Sequence, residues 1–461
     1  MDKMETLRVS SYVIPIKLES NKLKYMLIHG YTGAIDLVTE RIALKLIQHD
    51  KIDSKLFSSN TLNTLIERGY ITTKSKEEED NHVARIAQAL HKKAEILYKT
   101  FTWIVTYNCN FRCPYCFERR DTKNAKHYIS FTKEQVNKTF EAMQMIEPRM
   151  QLQNHIITLY GGEPLLKENK DIVTYIVKEG QKRGYKFHAV TNGYDLDCYT
   201  DLLSPDLICQ IQITIDGTKD FHNQKRKHFQ DANSFDKIIS NLKLILQNNI
   251  DVNIHIRVNT DNSNFDDFIA LKSYFKEIGF WEHKNFSIYS ALISDNDSIS
   301  QEDKKDISIL STTDYIQKHI STGTISFCNG YSTIYKNIHN AIYNKKPVSL
   351  KATYCSAQTG GYVFSPFGEI YPCWEIVGNK NFLIGILLKK SIKWDYKKLH
   401  NWRSLNVCSS TCKHCKYALL CGGGCPTMKN NHCIYFQETL KNAANNVYRQ
   451  VCVDMFNLIN F

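Results

Sequence analysis

The run TYNCNFRCPYCFE at residues 106–118 is the most informative part of this chain. It contains Cys109, Cys113 and Cys116 in the spacing C-x3-C-x2-C. Three thiolates this close in sequence suit one face of a cubane iron–sulfur cluster, and most such clusters take four cysteines. A local set of three therefore leaves the fourth iron open for a ligand. The alternative is a zinc site in which a distant histidine joins the same three cysteines.

Strand and helix patterns alternate on both sides of the cysteine run, which is typical of a parallel α/β sheet. We predict strands at residues 101–106, 155–160, 187–191, 208–215, 252–258 and 286–291. Helices are predicted between them, near residues 131–145, 169–182, 196–203, 234–247 and 265–277. Six such units are too few for a closed eight-stranded barrel, so a partial barrel is expected, with its chemistry at the carboxyl ends of the strands.

Short motifs follow four of the predicted strands, where such a barrel carries its chemistry. In chain order they are Gly161-Gly162-Glu163-Pro164, Thr191-Asn192, Asp216 and Arg257. Adjacent glycines permit close backbone approach, and a carboxylate at Glu163 suits a cationic amine. Each motif also has a plainer interpretation, which is a tight turn for the first three and a structural or solvated cation for Arg257.

The cysteine spacing, with the aromatic Tyr115 directly before the last cysteine, resembles the cluster motif of the radical S-adenosylmethionine (SAM) enzymes. The resemblance implies that the open iron binds the amino and carboxylate groups of SAM. An electron from the cluster then cleaves SAM to a 5′-deoxyadenosyl radical. It also implies a partial (β/α)6 barrel.

The same resemblance implies a role for each motif. The segment from Gly161 to Pro164 would bind the SAM amino group, and Thr191-Asn192 would contact the ribose. Arg257 would pair with the SAM carboxylate, and Tyr115 would lie beside the adenine. Asp216 would lie near the substrate, where one branch of related enzymes uses an acidic residue as a base.

The region from about residue 345 carries a second cysteine pattern, which closely resembles the SPASM extension of radical SAM enzymes. That resemblance implies two auxiliary 4Fe–4S clusters, the outer one bound by Cys412, Cys415, Cys421 and Cys433, and the inner one by Cys355, Cys373 and Cys425. The fourth inner ligand is open between Cys408, Cys328 and a substrate thiolate. A structural zinc site is the alternative, although zinc-ribbon spacing is not matched. His414 and His432 are expected to face solvent.

The first 80 residues predict a small unit made of a hairpin, two helices and a wing-like strand. With the phrase Tyr31-Thr-Gly-Ala-Ile-Asp-Leu37, this order resembles the winged-helix peptide-recognition domain of many peptide maturases. In that family a leader peptide adds a strand to the sheet, which we expect here between the Lys24–His29 strand and the helix that begins at Thr39. A DNA-binding winged helix and a structural cap are the alternatives. The predicted domains are 1–80 for the leader, 81–325 for the radical SAM core and 326–461 for SPASM.

Composition limits the remaining classes of function. The 461 residues contain no apolar run long enough for a membrane span, and the N-terminus has no signal-peptide pattern, so we expect a cytoplasmic protein. Fifteen cysteines in such a chain indicate metal ligands rather than disulfides. The net charge of +12 suits an acidic partner, but no basic segment with interleaved stacking aromatics supports nucleic acid.

These observations predict an α/β radical SAM maturase of a ribosomally made peptide, with SAM and three 4Fe–4S clusters as cofactors. Its expected partners are the precursor peptide, through its leader, and a reducing flavodoxin or ferredoxin. A thioether is the first expectation for the bond formed, followed by carbon–carbon and ether links. The alternatives are a sulfatase-activating type of protein maturase, an enzyme that modifies nucleic acid, and a non-catalytic iron–sulfur peptide-binding protein.

Overall fold

A computed structural model describes residues 6–116, 129–293, 307–409, 411–427 and 432–459. The N-terminal part has five strands, β1 (Arg8–Val9), β2 (Val13–Lys17), β3 (Lys24–His29), β4 (Ile35–Thr39) and β5 (Ile71–Thr72). Its helices are α1 (Glu40–Gln48), α2 (Ser59–Glu67) and α3 (Lys76–Ile96). Helix α3 begins with a capping box in which Ser75 and Glu78 bind each other's backbone N–H groups, and Glu77, Glu78 and Glu79 lie in its first turn.

The N-terminal sheet differs from the expected arrangement. Strand β4 was not predicted, and the sheet order is β2-β3-β4, which makes β3 the central strand. The expected groove beside Lys24–His29 is therefore wrong, because both sides of β3 are already paired. Within the described residues, the open edges of this sheet belong to β2 and β4.

The middle of the chain forms the predicted partial barrel. Its strands are β6 (Thr100–Thr106), β7 (Ile156–Gly161), β8 (Lys186–Thr191), β9 (Ile208–Thr214), β10 (Asn253–Thr260) and β11 (Phe286–Leu292). They are parallel neighbours in chain order. The helices between them are α4 (Lys133–Ile146), α5 (Lys170–Lys182), α6 (Lys219–Lys225), α7 (Ser234–Gln247) and α8 (Phe265–Glu277). The segment predicted as a helix near 196–203 is a 3-10 helix at Leu196–Leu202.

The C-terminal part extends the barrel sheet. Its elements are α9 (Thr312–Ser321), α10 (Tyr331–Tyr343), β12 (Gly361–Phe364), β13 (Glu369–Tyr371), β14 (Gly385–Leu387), β15 (Ile392–Trp394), α11 (Tyr396–Arg403), α12 (Ala418–Cys421) and α13 (His432–Ile459). Strand β12 pairs in parallel with β6, and β13 to β15 follow as antiparallel neighbours. The predicted α/β class with a partial barrel is confirmed.

The N-terminal sheet shares a core with the C-terminal helices. Its inner face contributes Ile14, Ile16, Met26 and Ile28 to an apolar cluster that also contains residues of α9, α10 and α13. Burying this face stabilises both parts, and residues 1–80 alone would expose it to water. In the described ranges, no helix combines the length and apolar character needed to cross a membrane.

Candidate functional site

The glycines that follow β7 place its loop directly against the loop that carries the first cysteines. The N–H of Gly162 donates to Thr106 O at 2.9 Å, and the N–H of Glu163 donates to Asn108 O at 2.8 Å. A Cβ on Gly161 would lie 2.3 Å from Thr106 O, and one on Gly162 would lie 2.3 Å from Asn108 O. The close approach that the sequence predicted is therefore made to the backbone of the cysteine loop.

Glu163 is held in a buried socket at the carboxyl ends of β7 and β8. Its Oε1 accepts from Leu165 N at 2.8 Å and from Thr191 Oγ1 at 2.6 Å, and its Oε2 accepts from Asn192 N at 2.6 Å. Burial raises the pKa of Glu163 to about 7, although these hydrogen bonds partly oppose the rise. The structure thus brings Glu163, Thr191 and Asn192 together, while Pro164 follows in the same buried turn.

Cys109, Cys113 and Cys116 lie beside this socket. Burial raises the pKa of Cys109 well above its ordinary value, and Glu163, Cys113 and Cys116 raise it further. The four groups are therefore close enough to interact electrostatically. Among the described side chains, no three of His, Cys, Asp and Glu are gathered tightly enough to hold a single metal ion. Cysteines of a cubane bind different irons, so their sulfurs need not converge in that way.

Asp216 follows β9 and is fully buried, in a network with Tyr115. The Tyr115 hydroxyl donates to Asp216 Oδ2, and Asn259 N donates to Asp216 Oδ1 at 2.9 Å. Burial raises the pKa of Asp216, and Arg226 with these donors lowers it in part. These contacts hold the Tyr115 ring at the carboxyl ends of the barrel strands.

Arg226 completes this network, and the sequence reasoning missed it. Its Nη1 donates to Tyr115 Oη at 2.7 Å and lies 3.9 Å from Asp216 Oδ2. Burial disfavours the charge, but the nearby Cys113, Tyr115 and Asp216 outweigh it and raise the pKa of Arg226 well above its ordinary value. Its buried Nε has no hydrogen-bond partner in the part of the chain that the structure describes. In the sequence it is one basic residue within a basic run, Lys225-Arg226-Lys227, which carries no signal of its own.

Arg257, the cation expected at the SAM carboxylate, lies on β10. Its Nε donates to Asn259 Oδ1 at 2.8 Å. Burial disfavours its charge, but Tyr289, Tyr160, Glu375 and Tyr115 outweigh burial, so the pKa of Arg257 is raised above its ordinary value. Glu375 follows Cys373 by two residues, so Arg257 faces the C-terminal extension as well as the barrel.

The C-terminal cysteines form two groups in space. In the first, burial raises the pKa of Cys373, and Cys355 and Cys425 raise it further. In the second, the pKa of Cys421 is raised to about 11 by burial, with contributions from Cys412 and Cys433. Burial also raises the pKa of Cys415, and Cys412 and Cys433 raise it further.

Two further cysteines were candidates for the fourth inner ligand. Cys408 packs against the same apolar cluster as Cys412 and Cys415, which belong to the second group. Cys328 is buried, and burial raises its pKa. The neighbouring hydroxyls of Tyr315 and Tyr435 donate to Ser290 Oγ and Asn329 O. These placements give no reason to assign either thiol to the first group.

The histidines beside these groups behave differently from each other. His414 is 59% exposed and its Nδ1 lies 2.6 Å from Asp80 Oδ2. His432 was expected to face solvent, but burial lowers its pKa to about 4, and its buried Nε2 has no partner within the described ranges. His432 is half-buried, because the Gly-rich segment before it packs closely, with a Cβ on Gly424 only 3.2 Å from the ring.

Comparison with known proteins gives one family and several relatives. Residues 103–275 match the model of the radical SAM superfamily. The radical SAM cyclopropyl synthase TigE of Paramaledivibacter caminithermalis is 24% identical over 456 residues, which cover 91% of this chain and 89% of TigE. A cysteine-type anaerobic sulfatase-maturating enzyme of Clostridium novyi is 24% identical, covering 69% of this chain and 85% of that protein. The solved structure of native anSMEcpe with bound AdoMet has a TM-score of 0.53 at 17% identity, covering 76% of this chain and 98% of that one.

Proposed function

We propose that this chain, a radical SAM enzyme whose residues 103–275 match the model of that superfamily, modifies a ribosomally made precursor peptide. One observation carries the proposal. The three motif cysteines, the Glu163 socket and the Asp216–Tyr115–Arg226 network meet at the carboxyl ends of adjacent barrel strands. The full-length similarity to TigE, a cyclopropyl synthase, supports an enzyme that forms a new bond within its substrate.

The residues around the cysteine loop fit SAM on a 4Fe–4S cluster held by Cys109, Cys113 and Cys116. Reductive cleavage of SAM supplies a radical that removes a hydrogen atom from a carbon. The Glu163 carboxylate would accept hydrogen bonds from the amino group of SAM, while Thr191 and Asn192 hold that carboxylate in place. Gly161, Gly162 and Pro164 shape the loop.

Arg226 suits the SAM carboxylate better than Arg257 does. Both polar groups of SAM bind one iron, so their protein partners should flank the same thiols. Glu163 interacts electrostatically with Cys109, and Arg226 interacts with Cys113. Within the described ranges, the Nε of Arg226 has no hydrogen-bond partner. Arg257, which faces Glu375 and the aromatic residues near it, would then contact the peptide substrate.

Asp216 holds Tyr115 and Arg226 and is the candidate base near the substrate. A base must accept a proton, and burial raises the pKa of Asp216 in that direction. Its role as a base stays a prediction, since its two oxygens are already engaged by Tyr115 and Asn259.

The two C-terminal cysteine groups support two auxiliary clusters. Cys412, Cys415, Cys421 and Cys433 would bind the outer cluster, and Cys355, Cys373 and Cys425 the inner one. We leave the fourth inner position to a substrate thiolate, since Cys408 lies with the outer group. A thiolate bound there could form a thioether. The similarity to TigE, a cyclopropyl synthase, instead favours formation of a carbon–carbon bond.

The edge of β4 is the proposed site for the leader peptide. The bonds from Glu40 N to Leu23 O and from His29 N to Ala34 O fix the pairing of β3 with β4. Because antiparallel pairs alternate, the N–H and C=O of Leu37 face away from β3. The Leu37 side chain is 39% exposed. A peptide strand added here would bond to the backbone of β4 beside helix α1.

Iron content and SAM cleavage test the catalytic proposal. Anaerobically reconstituted protein should bind about twelve irons, in three clusters of four. Replacing Cys109, Cys113 and Cys116 together by Ala should remove about four irons and abolish formation of 5′-deoxyadenosine. Undiminished SAM cleavage in this variant would contradict the proposal, and a reconstituted wild type that cannot cleave SAM would indicate a binding protein.

The product identifies the bond. Mass spectrometry should show that the product has two hydrogen atoms fewer than the precursor. One is transferred to the deoxyadenosyl radical, and the other leaves as a proton and an electron. If a cysteine of the product then resists alkylation, the link is a thioether. If all its cysteines remain reactive, a carbon–carbon or ether link is indicated. A sulfatase-derived peptide serves as the competing substrate, and its faster turnover would favour the sulfatase-maturating alternative.

The β4 edge is tested in the full-length protein. Leu37→Pro removes one backbone donor from an outward position, where an edge strand tolerates proline, whereas Leu37→Ala keeps that donor. Leader affinity should fall about tenfold in L37P, as expected for a lost hydrogen bond of about 1 kcal/mol or more. It should change little in L37A. Equal affinities of L37P and wild type would show that the leader does not use this edge.

A further inference from the structure

Lys351 lies across Gly422, the residue that directly follows Cys421 of the outer cysteine group. Its N–H donates to Leu419 O at 2.7 Å, which ties it to helix α12, and α12 ends at Cys421. Its Cε lies 3.1 Å from the point where a Cβ on Gly422 would stand. Gly422 has φ +79°, so both its backbone and its lack of a side chain suit this crossing.

The same lysine also faces the inner group. Its Nζ lies 5.7 Å from the ring centre of Tyr354, the neighbour of Cys355. The Tyr354 ring packs edge-on against His432, with ring centres 4.9 Å apart, and His432 directly precedes Cys433. Lys351, Tyr354 and His432 therefore occupy the space between the two cysteine groups.

The charge of Lys351 acts on a thiol of each group. Lys351 is exposed to solvent as a residue, while its backbone N–H and its Cε lie against Leu419 and Gly422. Lys351 opposes the rise in the pKa of Cys421 and of Cys355. Of the carboxylates that the structure describes, none forms an ion pair with Lys351. The cation is thus directed at the cysteines of two groups and is not neutralised by an acidic neighbour.

We propose that Lys351 is a positioning residue shared by the two auxiliary clusters, and that its positive charge raises the reduction potential of both. Reduction adds a negative charge to a cluster, and a nearby cation stabilises that charge. One lysine between both groups shifts the two potentials in the same direction. The inference rests on the proposed auxiliary clusters, so its test first counts them.

The test compares reconstituted full-length Lys351→Met, Lys351→Arg and wild-type protein by redox titration followed by electron paramagnetic resonance. Lys393→Met is the matched control, because Lys393 on β15 is exposed like Lys351 but is not among the charges that act on Cys355 or Cys421. We expect both auxiliary potentials of K351M to become more negative by about 59 mV, which is a tenfold change in the reduced-to-oxidised ratio for one electron. K351R and K393M should match the wild type, and the potential of the SAM cluster should not move.

Iron analysis separates the outcomes. About four irons in the wild type would overturn the auxiliary clusters themselves, whereas about twelve irons with unchanged K351M potentials would overturn only the role of Lys351. If K351M loses auxiliary iron, Lys351→Gln is compared with K351R. Iron retained in K351R alone supports a charge requirement. Iron lost in all three variants shows a purely structural cover and overturns the proposal.

Discussion

Glu163→Gln should remove the part of SAM binding that depends on a carboxylate in the buried socket. In the wild type the pKa of Glu163 is raised to about 7 by burial. About one tenth of the protein therefore carries the ionised group at pH 6 and about nine tenths at pH 8. The amino group of SAM binds the ionised form, so the wild-type dissociation constant should fall about tenfold between these values beyond any change in E163Q.

The variant also reports the strength of the contact. Glutamine has one acceptor oxygen where Glu163 uses two, with donors from Leu165, Thr191 and Asn192. At pH 8, E163Q should bind SAM about tenfold to a hundredfold more weakly, because hydrogen bonds to charged groups contribute about 1.5–3 kcal/mol. Without SAM, folding keeps a proton on Glu163 between about pH 4.5 and 7. The free energy of unfolding should therefore fall by about 3 kcal/mol as the pH rises through that window.

The assay is anaerobic equilibrium binding of SAM to reconstituted, oxidised protein from pH 6 to 8. E163Q cancels any titration of SAM itself, because the quantity compared is the ratio of the two dissociation constants. Glu168→Gln is the matched control, since Glu168 is exposed five residues later in the same segment. A ratio that stays constant across this pH range would refute the reasoning.

Three further results are expected. Gly162→Ala should lower the free energy of unfolding by about 1–3 kcal/mol and weaken the SAM cluster, since its Cβ would meet a backbone oxygen at 2.3 Å. Gly184→Ala, with φ +82° and no atom within 4 Å, should cost only about 1 kcal/mol, and equal costs in urea titrations would contradict this. Arg226→Met should weaken SAM binding about tenfold or more and Arg257→Met less than about twofold; the reverse order would place the SAM carboxylate at Arg257. Burial lowers the pKa of His319 to about 4, so the folded state resists a proton that the unfolded state takes below about pH 6.5. The free energy of unfolding should thus fall by about 2 kcal/mol between pH 7 and 5 through this residue, and His319→Asn should remove that share.

The barrel could be predicted from the sequence because its signals are local. Strands β6 to β11 are apolar or alternate apolar with polar residues, as in β9 and β10, and the helices between them carry their periodicity within single segments. The cysteine spacing and the glycines at 161 and 162 lie within a few residues of each other, so their chemistry is visible without the fold. The helix predicted near residues 196–203 is present at Leu196–Leu202, where it takes the 3-10 form.

Other features depend on contacts between distant segments. The role proposed for Arg226 depends on the fold, which brings it close to Cys113. The role proposed for Lys351 depends in the same way on its position near Cys421 and Cys355. Strand β4 is short and half polar, and only its pairing with β3 reveals it and moves the open edge away from Lys24–His29.

The amino-acid sequence by itself determined the class of fold and the spacing of the motif cysteines, because periodicity and residue spacing are properties of the covalent chain. Tertiary structure alone decided which charges face the thiols, which sheet edge is open and which sheet face is shared with the C-terminal helices. The physical reason is that burial and Coulomb energy depend on distance in space. The distance in space between two residues far apart in sequence cannot be read from the sequence alone.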